Sequence, residues 1–333
     1  MSDTTQSLRQ QWQQKGWHNL YEYKSHPPPR SGLVSLRLKS IARKILLLPL
    51  HFFNLLGDSY GRLLNLIRPG LGLVFFDRQL QLIYSTTKTV QHQSPGRVIN
   101  LHIHTPNFLC GYRADTFSTK EPETLAWIDE YGGDGPLYDI GANIGLYSLY
   151  YAATKAGNVY SFEPSVLNLK LLAKNIHSNG FDKKIRIIPN PLTDHNDFAD
   201  FSLSSIDEGG ALSSFGVEYG HDGENLNTIF RYQILGLTLD YLLSAKMIKE
   251  LPQLIKIDVD GIEHLILAGA VDILKNPNLK SLLIEVNDDF QLQATNVNKL
   301  LTSSGFYLRE KRNSEMIAAG KFSHTYNQIW CRG

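Results

Sequence analysis

The chain has 333 residues, 42% of them apolar, and carries 33 Lys plus Arg against 32 Asp plus Glu for a net charge of +1. That length can bury a full core and suits one catalytic domain of about 200 residues with an extension, and the even charge balance makes no case for a whole-protein nucleic-acid binder. The two cysteines, Cys110 and Cys331, have no C-x-x-C spacing, which argues against a zinc or disulfide scaffold and for a reducing compartment.

Residues 1–30, rich in Gln and Ser and ending near Pro27-Pro28-Pro29, have no apolar core of a secretory signal and are expected to form a flexible lead-in. An N-terminal extension is expected over 31–112. Within it Val34, Leu38, Ile41, Ile45, Leu48, Phe52 and Leu55 recur at spacings of four and three, one face of a helix that Pro49 must kink or break. From Arg30 to Arg68 seven basic side chains face one acid, Asp58. A basic amphipathic segment over 32–68 can lie peripherally on a membrane, but the favoured reading is a lid or homodimer arm whose apolar face packs on the catalytic domain. Its longest apolar run, Ile45 to Phe53, is far short of the roughly 20 residues of a spanning helix. Leu71-Gly-Leu73-Val74-Phe75-Phe76, Leu82-Ile83-Tyr84 and Val98 to Ile103 then predict small strands or hairpins.

Ser118 and Glu121 stand at capping-box spacing, with Pro122 in the first turn, so a helix is predicted to begin there and to stop at Gly132-Gly133-Asp134-Gly135. Next, Leu137-Tyr138-Asp139-Ile-Gly141-Ala-Asn143-Ile-Gly145 leads into an apolar run ending at Ala156. This reads as a strand, a glycine turn and a helix starting near Asn143, with a carboxylate at the crossing point. Such a turn lets backbone approach a ligand and points free N–H groups at it. Val159 to Phe162 forms the next strand, and Glu163 ends it 24 residues after Asp139, where an acid grips ribose hydroxyls. The spacing Asp-x-Gly-x-x-x-Gly differs from the Gly-x-Gly-x-x-Gly of dinucleotide sites. S-adenosylmethionine, which has a ribose and an amino-acid tail but no phosphate, fits it better than NAD.

A helix over Ser165 to Ser178, strands at Ile185–Ile188, Phe201–Leu203 and Leu254–Asp258, and a helix from Leu265 to Leu274 follow. Then come a strand at Leu282–Glu285, a helix near Val297–Ser303, and a terminal hairpin of Phe306–Leu308 with Gln328–Trp330. Alternating strand and helix predict an α/β, mainly parallel, doubly covered sheet with its ligands beyond the carboxyl ends of the strands.

Four motifs in order, Thr119-Lys120-Glu121-Pro122-Glu123-Thr124, Tyr138-Asp139 through Gly145-Leu-Tyr147-Ser148, Phe162-Glu163-Pro164, and Ile257-Asp258-Val-Asp260-Gly261-Ile-Glu263, resemble the FkbM-type S-adenosylmethionine-dependent methyltransferases. The resemblance covers about residues 113–310, and a methyltransferase domain is expected over 113–333. It implies a Rossmann-like class I fold, seven-stranded with a terminal antiparallel hairpin, and O-methylation of sugars, glycans or secondary metabolites. Asp260 stands where the family often has Glu, and Pro191 where it has a small residue.

The expected cofactor set is Asp139, Gly141, Asn143 and Gly145 around the amino-acid tail and Glu163 on the ribose. Asn190 and Thr193 are placed near the adenine, and Glu123 and Thr124 are added from the upstream motif. For proton removal from the acceptor, Asp258 is the expected base, with Asp260 and His264 close behind it. Asp258, Glu285 and Asn287 form an alternative set that would hold Mg²⁺. The function expected is therefore a cytoplasmic O-methyltransferase acting on a small-molecule or glycan hydroxyl, with no nucleic-acid partner. The alternative is a noncatalytic cofactor-binding or assembly subunit that uses its basic arm at a membrane or partner.

Overall fold

The computed structural model describes residues 52–313 and 322–333. The lead-in over 1–30 and the helical face from Val34 to Leu48 lie outside the described residues. The chain forms two compact units, Met1–Gln79 and Leu80–Gly333.

Residues 52–67 are helical (α1), and Leu71–Tyr84 form a second helix, α2. The strands expected at 71–76 and 82–84 are therefore one helix. No turn residue interrupts Leu73 to Tyr84, and Leu, Phe and Gln all tolerate helical backbone; the break falls instead at Arg68-Pro69-Gly70. The two helices cross where Gly61 and Gly72 meet: a Cβ on Gly72 would lie 2.4 Å from the Gly61 carbonyl oxygen. Asn65 Oδ1 accepts from the Gly70 and Gly72 N–H groups and closes the turn.

In the second unit, β1 (Thr87–Ser94) and β2 (Arg97–His104) form the hairpin expected around Val98–Ile103. Ile99, Leu101 and Ile103 are buried, and the His102 and His104 N–H groups donate to Asn179 and Asn175 side chains. Helix α3 (Phe108–Asp115) follows, capped by Asn107. Helix α4 (Pro122–Tyr131) stops where predicted but starts three residues later than a Ser118 cap implies, with Glu121 at its N-cap, and no capping box forms. Ser118 Oγ bonds His92 instead, and the Glu121 carboxylate is taken by stronger partners described below.

The remaining elements are β3 (Leu137–Ile140), α5 (Leu146–Thr154), β4 (Val159–Phe162), α6 (Val166–Ser178), β5 (Ile185–Ile188), β6 (Asp197–Leu203), β7 (Ser213–Phe215), β8 (Phe230–Gly236), α7 (Leu239–Ser244), β9 (Leu254–Ile257), α8 (Glu263–Ala268), α9 (Val271–Lys275), β10 (Ser281–Asn287), α10 (Gln291–Ser303), β11 (Phe306–Arg312) and β12 (Thr325–Arg332). The seven-stranded sheet has the order β11-β12-β10-β9-β3-β4-β5. From β10 to β5 the pairings are parallel, and β12 runs antiparallel to both β10 and β11. This is the expected Rossmann-like sheet with its terminal hairpin.

The central strands are buried throughout because both faces are covered. Alternation sends Leu137, Val159 and Leu254 into one apolar layer and Tyr138, Tyr160 and Ile255 into the other. Two expectations change. Phe201–Leu203 belongs to a separate three-stranded antiparallel sheet, β7-β6-β8, whose other two strands are not among those predicted. The helix expected across Leu265–Leu274 is broken at Gly269 into α8 and α9.

Candidate cofactor and acceptor site

The tips of β3, β4 and β9 converge on the glycine turn. Gly141 and Ala142 donate to the Phe162 carbonyl, each at 3.0 Å. Gly141 has φ +82°, and a Cβ there would lie 1.9 Å from the Asp258 carbonyl oxygen, so the crossing admits only glycine. Asn143 also adopts a left-handed φ of 52°, and α5 starts three residues later than its sequence suggests, after Gly145 at φ +90°.

Asp139 is fully buried. Its Oδ2 accepts from Ser148 Oγ at 2.5 Å, while Oδ1 has no hydrogen-bond partner among the described residues. Burial raises its affinity for a proton, which the nearby Lys256 charge and the Ser148 bond oppose. Glu163 is 5% exposed and spans the turn: Oε2 accepts from Asn143 N–H at 2.7 Å and Oε1 from Ser165 N–H at 2.8 Å. Burial outweighs these donors and pushes its carboxyl up to about 7. Three residues, Arg113, Asn143 and Asn168, hold the Glu208–Gly210 loop beside it through Arg113 Nε to Gly209 O at 2.7 Å, Asn143 Nδ2 to Gly210 O at 2.7 Å, and Gly209 N to Asn168 Oδ1 at 2.8 Å.

Deeper along the strand tips lies an ion network. Lys256 is 1% exposed, its Nζ 2.8 Å from Asp258 Oδ2 and 5.0 Å from the Tyr147 ring centre. Burial alone would depress Lys256, but the Asp258, Asp139 and Glu121 charges overcome it and hold the ammonium above its ordinary value. Glu121 pairs with Lys120 Nζ at 2.6 Å and accepts from Tyr147 OH at 2.9 Å. Burial opposes its ionisation, yet the Lys120 and Lys256 charges win and bring it to about 2. Glu285 is pushed well above the usual carboxyl range by burial and then by Asp258, Glu121 and Asp260. Asp260, in a left-handed conformation, accepts from Leu212 and Ser213 N–H through Oδ2, and burial with the Asp258 charge raises it to about 6. Five acids, Glu121, Asp139, Asp258, Asp260 and Glu285, thus interact with three cations, Lys120, Lys256 and Arg113.

The other expected site residues are placed as follows. Glu123 Oε1 accepts from Asn327 Nδ2 at 2.8 Å, which ties α4 to β12, and Thr124 Oγ1 reaches Glu121 at 3.5 Å. Asn190 Nδ2 donates to the Leu235 carbonyl, and Thr193 is joined to Asp194 by its hydroxyl and to Leu237 by its N–H, so both connect β5 to the small sheet. His264 is buried edge-on to Phe290; burial lowers its proton affinity, and the charge felt there is that of Asp194, not Asp258. Asn287 donates to His221 O and accepts from Asp289 N–H. Of the alternative Mg²⁺ set, Asp258 Oδ2 is engaged by Lys256 and the Asn287 side chain by backbone groups. Among the described residues no group of three or more His, Cys, Asp or Glu is placed to hold a metal ion.

Sequence reasoning passed over Lys120, Lys256, Tyr147, Ser148 and Arg113. The signal for Lys256 was present: a lysine inside Leu254-Ile-Lys-Ile-Asp258, in a strand buried on both faces, must be paired.

A parallel sheet of this order, with a glycine turn after its central strand and an acid at the next tip, defines a Rossmann-like methyltransferase fold. The "Methyltransferase FkbM domain" model matches residues 139–308, about half of the chain, and the protein belongs to that family. Among solved structures, the FkbM methyltransferase from Methylobacillus flagellatus KT is 13% identical, with 67% of this chain and 52% of that one covered at a TM-score of 0.42. This chain therefore spans about half the length of that relative. A precorrin-6y C5,15-methyltransferase from Geobacter metallireducens GS-15 is 12% identical over 64% of this chain and 87% of that one at 0.39. An rRNA methylase from Streptococcus thermophilus is 11% identical over 63% and 92% at 0.38. No curated protein matches the chain.

Proposed function

We propose that the protein is an S-adenosylmethionine-dependent O-methyltransferase whose acceptor is a hydroxyl of a sugar, glycan or secondary metabolite. The observation that carries this reading is the fully buried, unpartnered Asp139 Oδ1 beside the Gly141 turn. A buried carboxylate oxygen without a donor is costly, and a cationic group brought to it removes that cost. The carboxyl groups clustered at the strand tips suit a ligand carrying an ammonium and a sulfonium.

When bound, S-adenosylmethionine supplies an electrophilic methyl group. Asp139 would hold the ammonium of its amino-acid tail, with the turn from Gly141 to Gly145 beside it. Glu163 has two oxygens with about four acceptor sites, of which the Asn143 N–H, the Ser165 N–H and, at 3.5 Å, Asn168 Nδ2 use three; the remaining capacity, on Oε2, would accept from the ribose. On the acceptor side, Asp258 is the base. Its Oδ2 is fixed by Lys256, no donor among the described residues reaches Oδ1, and the side chain is 26% exposed. A fixed, accessible carboxylate oxygen can orient a hydroxyl and take its proton as the new bond forms.

Calorimetric titration with S-adenosylmethionine, S-adenosylhomocysteine and NAD tests the cofactor, and the first two alone are expected to bind. Tight NAD binding with no response to the other two would overturn the reading. The acceptor class is tested by mass spectrometry of metabolites and glycans from a deletion strain, where the product should be replaced by a species one methylene lighter.

A further inference from the structure

We propose that the helical hairpin α1–α2 is a docking surface for an anionic lipid membrane, on which it lies without crossing. Fourteen large apolar side chains between Phe52 and Ile83 are exposed, from Phe76 at 39% to Leu66 at 84%. The two buried residues in the hairpin are Gly61 and Gly72, at the helix crossing. The crossing is therefore close but thin, and the hairpin has almost no apolar core of its own. Soluble surfaces carry scattered apolar residues, whereas a continuous run of this kind marks a contact with something apolar.

Charge selects the occupant. Between Arg30 and Tyr84 the sequence carries eight basic residues against two acids, Asp58 and Asp77, and Arg62, Arg68 and Arg78 belong to the hairpin itself, Arg62 paired with Asp58. A second copy of this chain, meeting through the same segment, would bring two such basic stretches together and repel itself. An anionic lipid surface attracts them while its acyl region takes up the apolar side chains. Length separates lying from spanning: α2, with 14 residues, is about 21 Å long at 1.5 Å per residue, and no described helix is long and apolar enough to cross a membrane.

The test is flotation of the full chain with vesicles of phosphatidylcholine alone and of phosphatidylcholine with phosphatidylglycerol. The full chain should float with the anionic vesicles, much less with the neutral ones, and be released at about 1 M salt, where screening acts within about 3 Å. A triple variant, Leu66→Glu, Ile67→Glu and Leu73→Glu, changes side chains that are 84%, 72% and 73% exposed. It should lose flotation by about tenfold or more while keeping its melting temperature and cofactor binding. Absence of flotation, or flotation indifferent to anionic lipid, would overturn the proposal. So would a concentration-dependent dimer by light scattering that the triple variant abolishes without lipid, since a second copy would then be the occupant.

Discussion

Glu163 should make cofactor affinity depend on pH near neutrality. In the free protein its buried carboxyl sits at about 7, above its ordinary 4.5, although it already receives the Asn143 and Ser165 N–H groups. Ribose hydroxyls donate best to the ionised form, so binding expels the proton. Affinity should then rise with pH up to about 7 and level off above it, leaving S-adenosylmethionine about tenfold weaker at pH 6 than at pH 8. Glu163→Gln removes the titrating group and should flatten that slope, with an overall loss of about 1.5 to 3 kcal/mol from the charged acceptor. Without cofactor the sign is opposite. An acid raised on folding contributes stability below about pH 4.5 that is lost as pH rises through about 7, here about 3 kcal/mol. Urea unfolding of wild type against Glu163→Gln from pH 5 to 8 isolates that loss from those of Asp260 and Glu263. Calorimetry across the same range measures the affinity. A flat wild-type affinity, or an unchanged slope in the variant, would refute the assignment of Glu163 to the ribose.

Lys256→Met strands the Asp258 carboxylate next to Asp139 and Glu121 and should cost about 3 to 5 kcal/mol in urea unfolding. Because folding raises the Lys256 pKa, the stability it contributes is present through neutral pH and is lost only as pH climbs through a value above 10.5. Asp258→Asn should leave S-adenosylmethionine binding within a few tenths of a kcal/mol while lowering turnover on the acceptor; full retained turnover would remove Asp258 from the chemistry. Gly141→Ala drives a methyl into the Asp258 carbonyl at a left-handed φ and should destabilise by about 2 to 4 kcal/mol with loss of cofactor binding, both read by thermal shift with and without ligand. Dialysis against EDTA should leave activity unchanged, and loss that Mg²⁺ restores would favour a metal role for Asp258 and Glu285.

Local chemistry by itself determined the strand, glycine turn and helix around Asp139, the acid at Glu163, and most strands of the main sheet. In each case the information lies within a few residues: apolar runs between turn signals, glycines where backbone must turn, and acids at strand ends. The same periodicity misread α2, where apolar residues face outward, because it records where apolar side chains recur and not what they pack against. It missed the small sheet because β7 and β8 are recognisable only by pairing with β6 across intervening loops. The ion network is the clearest case. Glu121, Tyr147, Lys256 and Glu285 come from four separated segments, and only the order β10-β9-β3 and the docking of α4 and α5 bring them together. Burial at that junction then decides which acids stay ionised and which take a proton. Burial and long-range charge are properties of the packed chain, so the sequence named the acids while the tertiary structure assigned their partners and their charge states.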